Sequence, residues 1–208
     1  KNKIFLIPGS GIKIFNYPFK PKNNPKNINF IVIMHSRILI EKGVVEFYQA
    51  SQLMQKINNN CKFVLIGKID NLNPTAIKRN DLIKWSKNEN FEWIDYKEDI
   101  KDYIYEADIS CLPSYREGFP KSILEDCACG TPVICTDIPG CNSIIKDEYN
   151  GLLIKKKSKK SLFYALIELS ASNEKRMLYS TRSRKILEEK FSIEPIYDLY
   201  NSMYNDVL

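Results

Sequence analysis

Short apolar runs rich in β-branched residues alternate with longer helical patterns along most of the chain. Predicted strands cover Ile28 to Met34, Phe63 to Gly67, Phe91 to Ile94, Asp108 to Leu112, Pro132 to Thr136 and Leu152 to Ile154. Predicted helices lie between them, at Glu41 to Ile57, Pro74 to Asn88, Asp99 to Glu106 and Pro120 to Cys129. Strands this apolar, each followed by a helix, are typical of a parallel sheet covered on both faces. The predicted fold class is therefore α/β, with a doubly wound parallel sheet.

The two ends of the chain differ from this pattern. From Ser158 onward the sequence reads as helix, which gives the sheet a helical C-terminal tail. The last helix is predicted at Ile196 to Val207, with Pro195 in its first turn. It carries an apolar stripe that needs a partner surface: Ile196, Leu199, Tyr200, Met203 and Val207. Residues 16–27 are rich in Pro and Lys, as linkers often are, so we predict a linker or N-terminal segment at 1–27, one domain at 28–190 and a C-terminal helix at 191–208.

Composition limits the class of protein. The first residue is Lys1 and an apolar run begins abruptly at Ile4, so we expect the chain to start inside a longer protein. No apolar run reaches the roughly 20 residues that a membrane-spanning helix needs, and no secretory signal pattern is present. Six cysteines occur without a C-x-x-C pair, which argues against a zinc site and a disulfide framework. Reduced thiols in a cytoplasmic protein are the simpler interpretation.

The formal charge of +6 fits several partners: nucleic acid, a membrane surface, a phosphorylated substrate, or none at all. Its densest cluster is the run Lys-Lys-Lys-Ser-Lys-Lys at 155–160. That run fits either a solvated loop or a contact with anionic lipid.

One loop combines several groups that suit a phosphate or a sugar. It follows the predicted strand ending at Leu112 and opens a helix, and ligands of doubly wound sheets bind at this edge. Gly118 lets a ligand approach the backbone, and the free amides of Phe119, Lys121 and Ser122 would point toward an anion. Glu117 and Glu125 offer carboxylates that can accept hydrogen bonds from a vicinal diol.

A second group lies where the first predicted strand runs into its helix. Arg37 and Lys42 could together neutralise a diphosphate, the first as a planar fork and the second as a compact point charge. Two solvated cations at a helix start are the plainer interpretation. The single histidine, His35, is a poor metal site and more typical of a residue at the end of a strand.

The segment from Arg116 to Pro120, followed by Glu125 to Ile134, resembles the E-x7-E signature of glycosyltransferase family four, retaining enzymes of the GT-B fold. This resemblance implies a Rossmann-like C-terminal half of a GT-B fold that binds a nucleotide sugar. Segments at 6–11 and 67–74 are also similar to family members that build capsule or O-antigen glycans on polyprenyl diphosphate. Such members often use UDP-N-acetylhexosamines or UDP-galactose, which makes UDP the expected nucleotide.

The resemblance also implies roles for single residues. Arg37 and Lys42 match the pair that binds the donor diphosphate and stabilises the leaving nucleotide, and Glu125 matches the residue that holds the ribose. Glu117, with the backbone of Gly118 and Phe119, would contact the transferred sugar. The implied catalytic residues are Arg37, Lys42 and Glu117, and the implied substrate-binding residues are Gly67, Gly118, Phe119, Pro120, Lys121, Ser122 and Glu125. The loop at 137–141 is either beside the donor pocket or an ordinary Pro-Gly turn.

No D-x-D sequence occurs, so we expect a metal-independent mechanism without a cofactor. The expected partners are a nucleotide-sugar donor and a glycan or lipid-linked acceptor, the latter bound through a missing N-terminal domain on which the C-terminal helix would pack. The chain alone should then be inactive. We expect a cytoplasmic location and no nucleic-acid partner, with peripheral association at the inner face of the membrane left open. Two rival functions remain: a nucleotide-sugar epimerase or hydrolase of the GT-B type, and a non-catalytic basic binding module.

Overall fold

The computed structural model describes residues 7, 9–25, 29–57 and 60–207. Residues 206 and 207 are described by their backbone alone. Six parallel strands form one sheet in the order β3-β2-β1-β4-β5-β6. They are β1 Phe30–His35, β2 Cys61–Ile66, β3 Phe91–Ile94, β4 Ile109–Leu112, β5 Val133–Thr136 and β6 Gly151–Ile154. The strand order reverses between β1 and β4, so the predicted doubly wound sheet is confirmed. Ligands of such sheets bind where the order reverses.

Helices connect the strands and cover both faces of the sheet. They are α1 Val44–Gln55, α2 Arg79–Trp85, α3 Lys101–Glu106, α4 Lys121–Cys129, α5 Cys141–Ile144, α6 Lys159–Ala171, α7 Asn173–Lys190 and α8 Ile193–Val207. Alternate side chains of β1 point to opposite faces: Val32 and Met34 join one apolar cluster, and Ile33 joins another. The short four-residue helix α5 was not predicted.

The predicted helix at 74–88 is wrong over its first third, because α2 begins only at Arg79. Residues just before α2 pair instead with the loop after β1: the Ile40 amide donates to the Thr75 carbonyl at 2.9 Å. An isolated antiparallel bridge joins Leu39 to Ala76 in the same place. The backbone groups that a helix would use are thus satisfied by a distant segment.

The predicted helix at 41–57 is divided by a glycine. A short 3-10 helix at Ile40–Lys42 ends at Gly43, whose φ of 79° lies in the left-handed region, and α1 starts at the next residue. A Cβ atom on Gly43 would stand 2.2 Å from the Pro113 carbonyl oxygen, so only glycine allows the two loops to approach this closely. This contact brings the loop after β1 against the loop after β4.

The described part of the predicted linker packs against the domain. Lys22 is buried, and its Nζ donates to the carbonyls of Ile104 and Tyr105, at 3.0 Å and 2.6 Å, at the end of α3. Burial lowers the pKa of Lys22 to about 8. Residues 1–6, 8 and 26–28 lie outside the described residues. Leu6, Pro8 and Ile28, where a strand was predicted to start, are among them.

The last helix, α8, begins three residues before the predicted start, and Pro195 lies in its first turn as predicted. Its start is joined to the N-terminal segment: the Ile12 amide donates to the Phe191 carbonyl, and the Ile193 amide donates to the Ile12 carbonyl. Of the predicted apolar stripe, Ile196 is buried and Tyr200 is exposed. The Val207 side chain lies outside the described residues.

Across the described residues, none of the helices combines the length and the apolar character needed to cross a lipid bilayer. All six cysteines are buried free thiols. Burial raises the pKa of Cys61, Cys127 and Cys129 to about 12, which keeps these thiols protonated.

Candidate functional site

An open cleft of about 430 Å³ lies at the carboxyl ends of β1 and β4, where the strand order reverses. It is lined by Arg37, Glu41, Lys42, Arg116, Glu117 and Gly118. The structure therefore brings together four of the predicted site residues from two loops that are far apart in sequence. The side chains include three cations and two carboxylates, so the cleft carries a net positive charge that suits an anionic ligand.

Lys42 and Glu117 form an ion pair in the wall of this cleft. The distance between Lys42 Nζ and Glu117 Oε1 is 2.7 Å, and the two side chains are only 17% and 10% exposed. The Ser114 hydroxyl donates to the same carboxylate oxygen at 2.6 Å. Because Ser114 is itself buried, the Glu117 carboxylate is held in one orientation by two donors.

Arg37 lies between this cleft and a neighbouring one. Its side chain is 62% exposed, and NH1 is 3.6 Å from Asp70 Oδ2. The second cleft, of about 210 Å³, is lined by His35, Ser36, Arg37, Ile66, Gly67, Lys68, Tyr96, Lys97 and Ile100. The predicted site residue Gly67 belongs to this second cleft, which adjoins the first at Arg37.

Gly118 faces open space, whereas Gly140 packs directly against it. A Cβ atom on Gly118 would meet nothing within 4 Å. A Cβ atom on Gly140 would stand 2.3 Å from the Gly118 carbonyl oxygen, and Gly140 has a φ of 90°. The loop at 137–141, for which the sequence left two interpretations, therefore supports the backbone of the cleft.

The loop continues into the start of α4. Pro120 precedes the helix without a side-chain cap, so the amides of the first turn are available to a ligand. The Phe119 ring packs on Phe191, with 5.3 Å between ring centroids, which leaves only the Phe119 backbone for the cleft. Lys121 is exposed and Ser122 is partly buried.

Glu125 lines neither cleft. Its Oε1 accepts a hydrogen bond from the Tyr17 hydroxyl at 3.2 Å and lies 3.3 Å from Lys121 Nζ. Burial and then the neighbouring Glu125 carboxylate raise the pKa of Tyr17 well above its ordinary value, so Tyr17 remains a donor. Glu125, the residue predicted to bind the ribose, is thus held by Tyr17 from the segment that precedes the sheet.

A buried polar network behind the second cleft was not predicted from the sequence. His35 Nε2 is 2.8 Å from Asp126 Oδ1, and the Ser110 hydroxyl donates to Asp126 Oδ2 at 2.6 Å. Burial alone would lower the pKa of His35, but the charge and hydrogen bond of Asp126 raise it above its ordinary value. The sequence did offer one signal for this network: Asp126 falls on the buried side of α4, and a buried charge needs a partner.

Glu41 and Arg116 also line the cleft without having been predicted as site residues. The Thr75 hydroxyl donates to Glu41 Oε2 and lowers the pKa of that carboxyl. Each directly precedes a residue that was predicted to belong to the site: Arg116 precedes Glu117, and Glu41 precedes Lys42. Within the described ranges, His, Cys, Asp and Glu side chains form no group of three or more that could hold a metal ion.

The contribution of His35 to the stability of the protein is expected to decrease as the pH rises above about 6.5, because His35 gains a partner on folding. A raised pKa in the folded state contributes stability fully below the unfolded value of about 6.5, and this contribution is lost as the pH rises through the folded value. Urea unfolding of the wild type and of His35→Gln over this range measures the difference. The two pH profiles should differ in slope, and parallel profiles would contradict the assigned ion pair.

This chain is similar to known proteins in both sequence and fold. Residues 17–186 match the family described as Glycosyl transferases group 1. Among curated relatives, the N,N'-diacetylbacillosaminyl-diphospho-undecaprenol alpha-1,3-N-acetylgalactosaminyltransferase of Campylobacter jejuni is 33% identical over 172 residues, which cover 78% of this chain and 44% of the relative. The capsular polysaccharide biosynthesis glycosyltransferase CapM of Staphylococcus aureus is 27% identical, over 88% of this chain and 47% of the relative. The chain thus spans less than half the length of these curated relatives.

Solved structures share the fold. The C-terminal domain of the group 1 glycosyl transferase LpcC from Francisella tularensis superposes with a TM-score of 0.72 and 23% identity, over 88% of this chain and all of that domain. HepE from Anabaena, solved with UDP and glucose, superposes with a TM-score of 0.77 and 17% identity, over 94% of this chain and 55% of HepE. The predicted Rossmann-like fold is therefore confirmed. Because the family match covers most of the sequence, the chain belongs to the Glycosyl transferases group 1 family, as the E-x7-E resemblance implied.

Proposed function

We propose that this chain is the donor-binding domain of a retaining glycosyltransferase. The enzyme would move a hexose or an N-acetylhexosamine from a UDP-linked sugar to a glycan or a polyprenyl-diphosphate-linked acceptor, in the synthesis of a surface polysaccharide or glycoconjugate. The observation that carries the proposal is the cleft in which Arg37, Lys42, Glu117 and Gly118 meet. The name of the Campylobacter jejuni relative supports a lipid-linked acceptor, and the names of both curated relatives favour a transferase over an epimerase or a hydrolase.

Arg37 and Lys42 would bind the donor diphosphate. Arg37 is exposed and can rotate to form two parallel hydrogen bonds, whereas Lys42 is held by Glu117 and offers a fixed point charge. Both would stabilise the negative charge that develops on the leaving nucleotide, which is the main electrostatic task of such a site. We propose that these cations perform that task without a metal ion.

The sugar would lie between Glu117 and the start of α4. Glu117 would accept hydrogen bonds from sugar hydroxyls, since its orientation is set by Lys42 and Ser114. The open space beside Gly118 gives the sugar room to contact the backbone, and the uncapped amides of α4 add donors.

The nucleoside would occupy the second cleft, which Arg37 connects to the first. Tyr96 is exposed at its edge and offers a ring face for the base. In the described part of the chain, Tyr17 and Lys121 both contact Oε1 of Glu125, which leaves Oε2 for a ribose hydroxyl. Glu125 lies near His35, whose pKa its charge helps to raise, and His35 lines this cleft.

The acceptor site would lie in a separate N-terminal domain, so we expect no sugar transfer by this chain alone. We propose a cytoplasmic enzyme that works at the inner face of the membrane, where a lipid-linked acceptor is embedded. Donor binding is then the property to test on this chain.

A UDP sugar is expected to raise the melting temperature of the chain more than a GDP or ADP sugar, because a ligand that binds only the folded state stabilises it. At a hundred times its Kd, such a ligand contributes about 2.7 kcal/mol. Gly118→Ala should melt like the wild type, since the added methyl group meets nothing within 4 Å. Its affinity for the UDP sugar should fall by about 1–3 kcal/mol from overpacking, while its affinity for UDP stays unchanged.

Thermal shift gives the melting temperatures, and calorimetric titration gives the affinities. Absence of any shift with UDP sugars would refute donor binding. Equal affinity of wild type and Gly118→Ala for the UDP sugar would show that the sugar lies elsewhere.

A further inference from the structure

The lysine run at 155–160, called the lysine loop below, lies at the same edge of the sheet as the donor cleft. It follows β6, which is parallel to the other strands, and it ends at the start of α6, where the Ser158 side chain accepts from the Ser161 amide. The Asp137 amide donates to the Ile154 carbonyl at 2.9 Å, which joins the base of the loop to the segment that supports Gly118.

The lysine loop also touches the cleft loop directly. Lys157 has a φ of 56°, and its Nζ lies 4.9 Å from the centre of the Tyr115 ring. Tyr115 directly precedes Arg116 and Glu117, and its hydroxyl donates to Glu46 at 2.7 Å. The loop therefore borders the mouth of the cleft and is not a remote part of the surface.

The positive charge of the lysine loop is not neutralised. All five of its lysines are exposed, and none forms an ion pair within the described part of the chain. Lysines elsewhere do have acidic neighbours, such as Lys62 with Glu92 at 2.6 Å and Lys175 with Glu168 at 2.6 Å. The amino end of α6 adds further positive potential beside the loop.

An exposed aromatic ring accompanies these cations. Tyr164 is 65% exposed on α6 and follows Lys160 by four residues, so the two lie on the same side of the helix. Aromatic rings with a polar tip favour the boundary between water and lipid, where lysines reach the headgroups. Unpaired lysines beside such a ring match the chemistry of an anionic membrane surface.

We propose that the lysine loop and Tyr164 form a docking surface for anionic phospholipid. The role of this surface rests on the proposed function. Docking here would hold the mouth of the donor cleft near a bilayer that contains the lipid-linked acceptor. Each lysine near an anionic surface increases membrane partitioning about fivefold, so five of them suffice for reversible attachment.

The test is cosedimentation of the chain with phosphatidylcholine vesicles, with and without phosphatidylglycerol. The wild type should bind only the vesicles that contain phosphatidylglycerol. The triple variant Lys155→Gln/Lys156→Gln/Lys160→Gln should bind them about 100-fold more weakly, since three lysines are removed. Lys157 is retained because it contacts Tyr115.

The matched control is Lys56→Gln/Lys84→Gln/Lys87→Gln, which removes the same charge from three exposed lysines. These lie at the carboxyl ends of α1 and α2, at the opposite edge of the sheet, and their loss should leave vesicle binding close to that of the wild type. Equal losses in the two triple variants would overturn the proposal, because net charge alone would then explain binding. So would equal binding to both kinds of vesicle, or binding to single-stranded RNA without binding to vesicles.

The stabilisation by a UDP sugar, measured on the same variants, separates this proposal from the proposed function. It should be unchanged in the lysine-loop variant, which shows that the lysines act outside the donor cleft. Vesicle binding without any donor effect in the wild type would reject the donor proposal and retain the docking surface. Stabilisation of the wild type by a UDP sugar, without vesicle binding, would retain the donor proposal and reject the docking surface.

Discussion

Replacing Asp126 with leucine is expected to lower the free energy of unfolding by about 3–5 kcal/mol, the largest effect of any single change considered for this protein. Asp126 is 1% exposed and accepts from Ser110 while it pairs with His35. Its removal leaves the His35 ring and the Ser110 hydroxyl without their partner in the interior. Urea unfolding monitored by circular dichroism measures the loss.

Two variants control this result. Asp102→Leu changes an exposed aspartate of α3 in the same way and should stay within about 0.5 kcal/mol of the wild type. The double variant His35→Leu/Asp126→Leu should recover much of the lost stability, because an apolar pair can replace a buried ion pair. If Asp126→Leu unfolds at the same urea concentration as the wild type, the buried pair contributes nothing and the network has been misassigned.

Gly140→Ala is expected to disturb both stability and donor binding. Its Cβ would stand 2.3 Å from the Gly118 carbonyl oxygen and 2.9 Å from the Glu117 carbonyl oxygen, and both atoms belong to backbone that cannot rotate away. The positive φ of Gly140 adds backbone strain of about 1–3 kcal/mol for any other residue. The cleft loop must move, and a shift of about 1 Å in a positioning group can cost a factor of about 100 in function.

The measurements are urea unfolding and titration with a UDP sugar. Pro139→Ala is the control, since it changes the same turn without adding an atom toward Gly118, and it should bind the donor like the wild type. The comparison with Gly118→Ala is also informative, because that variant should keep its stability and lose only affinity for the sugar. Wild-type donor affinity in Gly140→Ala would show that the contact between the two loops does not position the site.

Local sequence patterns were sufficient to predict the sheet. Each strand is a short and mainly apolar run, as is typical of strands in a sheet that helices cover on both faces. The helix before Arg79 failed because its backbone bonds to the loop after β1, and no local pattern reports a bridge between Leu39 and Ala76. The break at Gly43 depends in the same way on the distant Pro113 carbonyl.

The candidate site likewise has a part that sequence patterns predict and a part that depends on contacts between distant residues. Arg37, Lys42, Glu117 and Glu125 were predicted to surround one pocket, because loops at the carboxyl ends of parallel strands share one edge. The structure brings the first three together with Gly118, whereas Glu125 lines neither cleft. The pair of His35 and Asp126 joins residues 91 positions apart on different elements, so only the fold reveals it. The roles assigned to single residues remain predictions for the donor-binding experiments.

Under the proposed function, the ion pair between Lys42 and Glu117 would affect the energetics of sugar transfer. In water, solvent dipoles must reorient each time negative charge moves from a sugar to a departing diphosphate. Here the ammonium group is already fixed by a carboxylate, which a buried hydroxyl holds in turn, in a wall that excludes most solvent. Fixed dipoles of this kind do not pay a reorganisation energy at the moment of reaction, so under the proposed function the barrier would be lowered by an arrangement completed during folding.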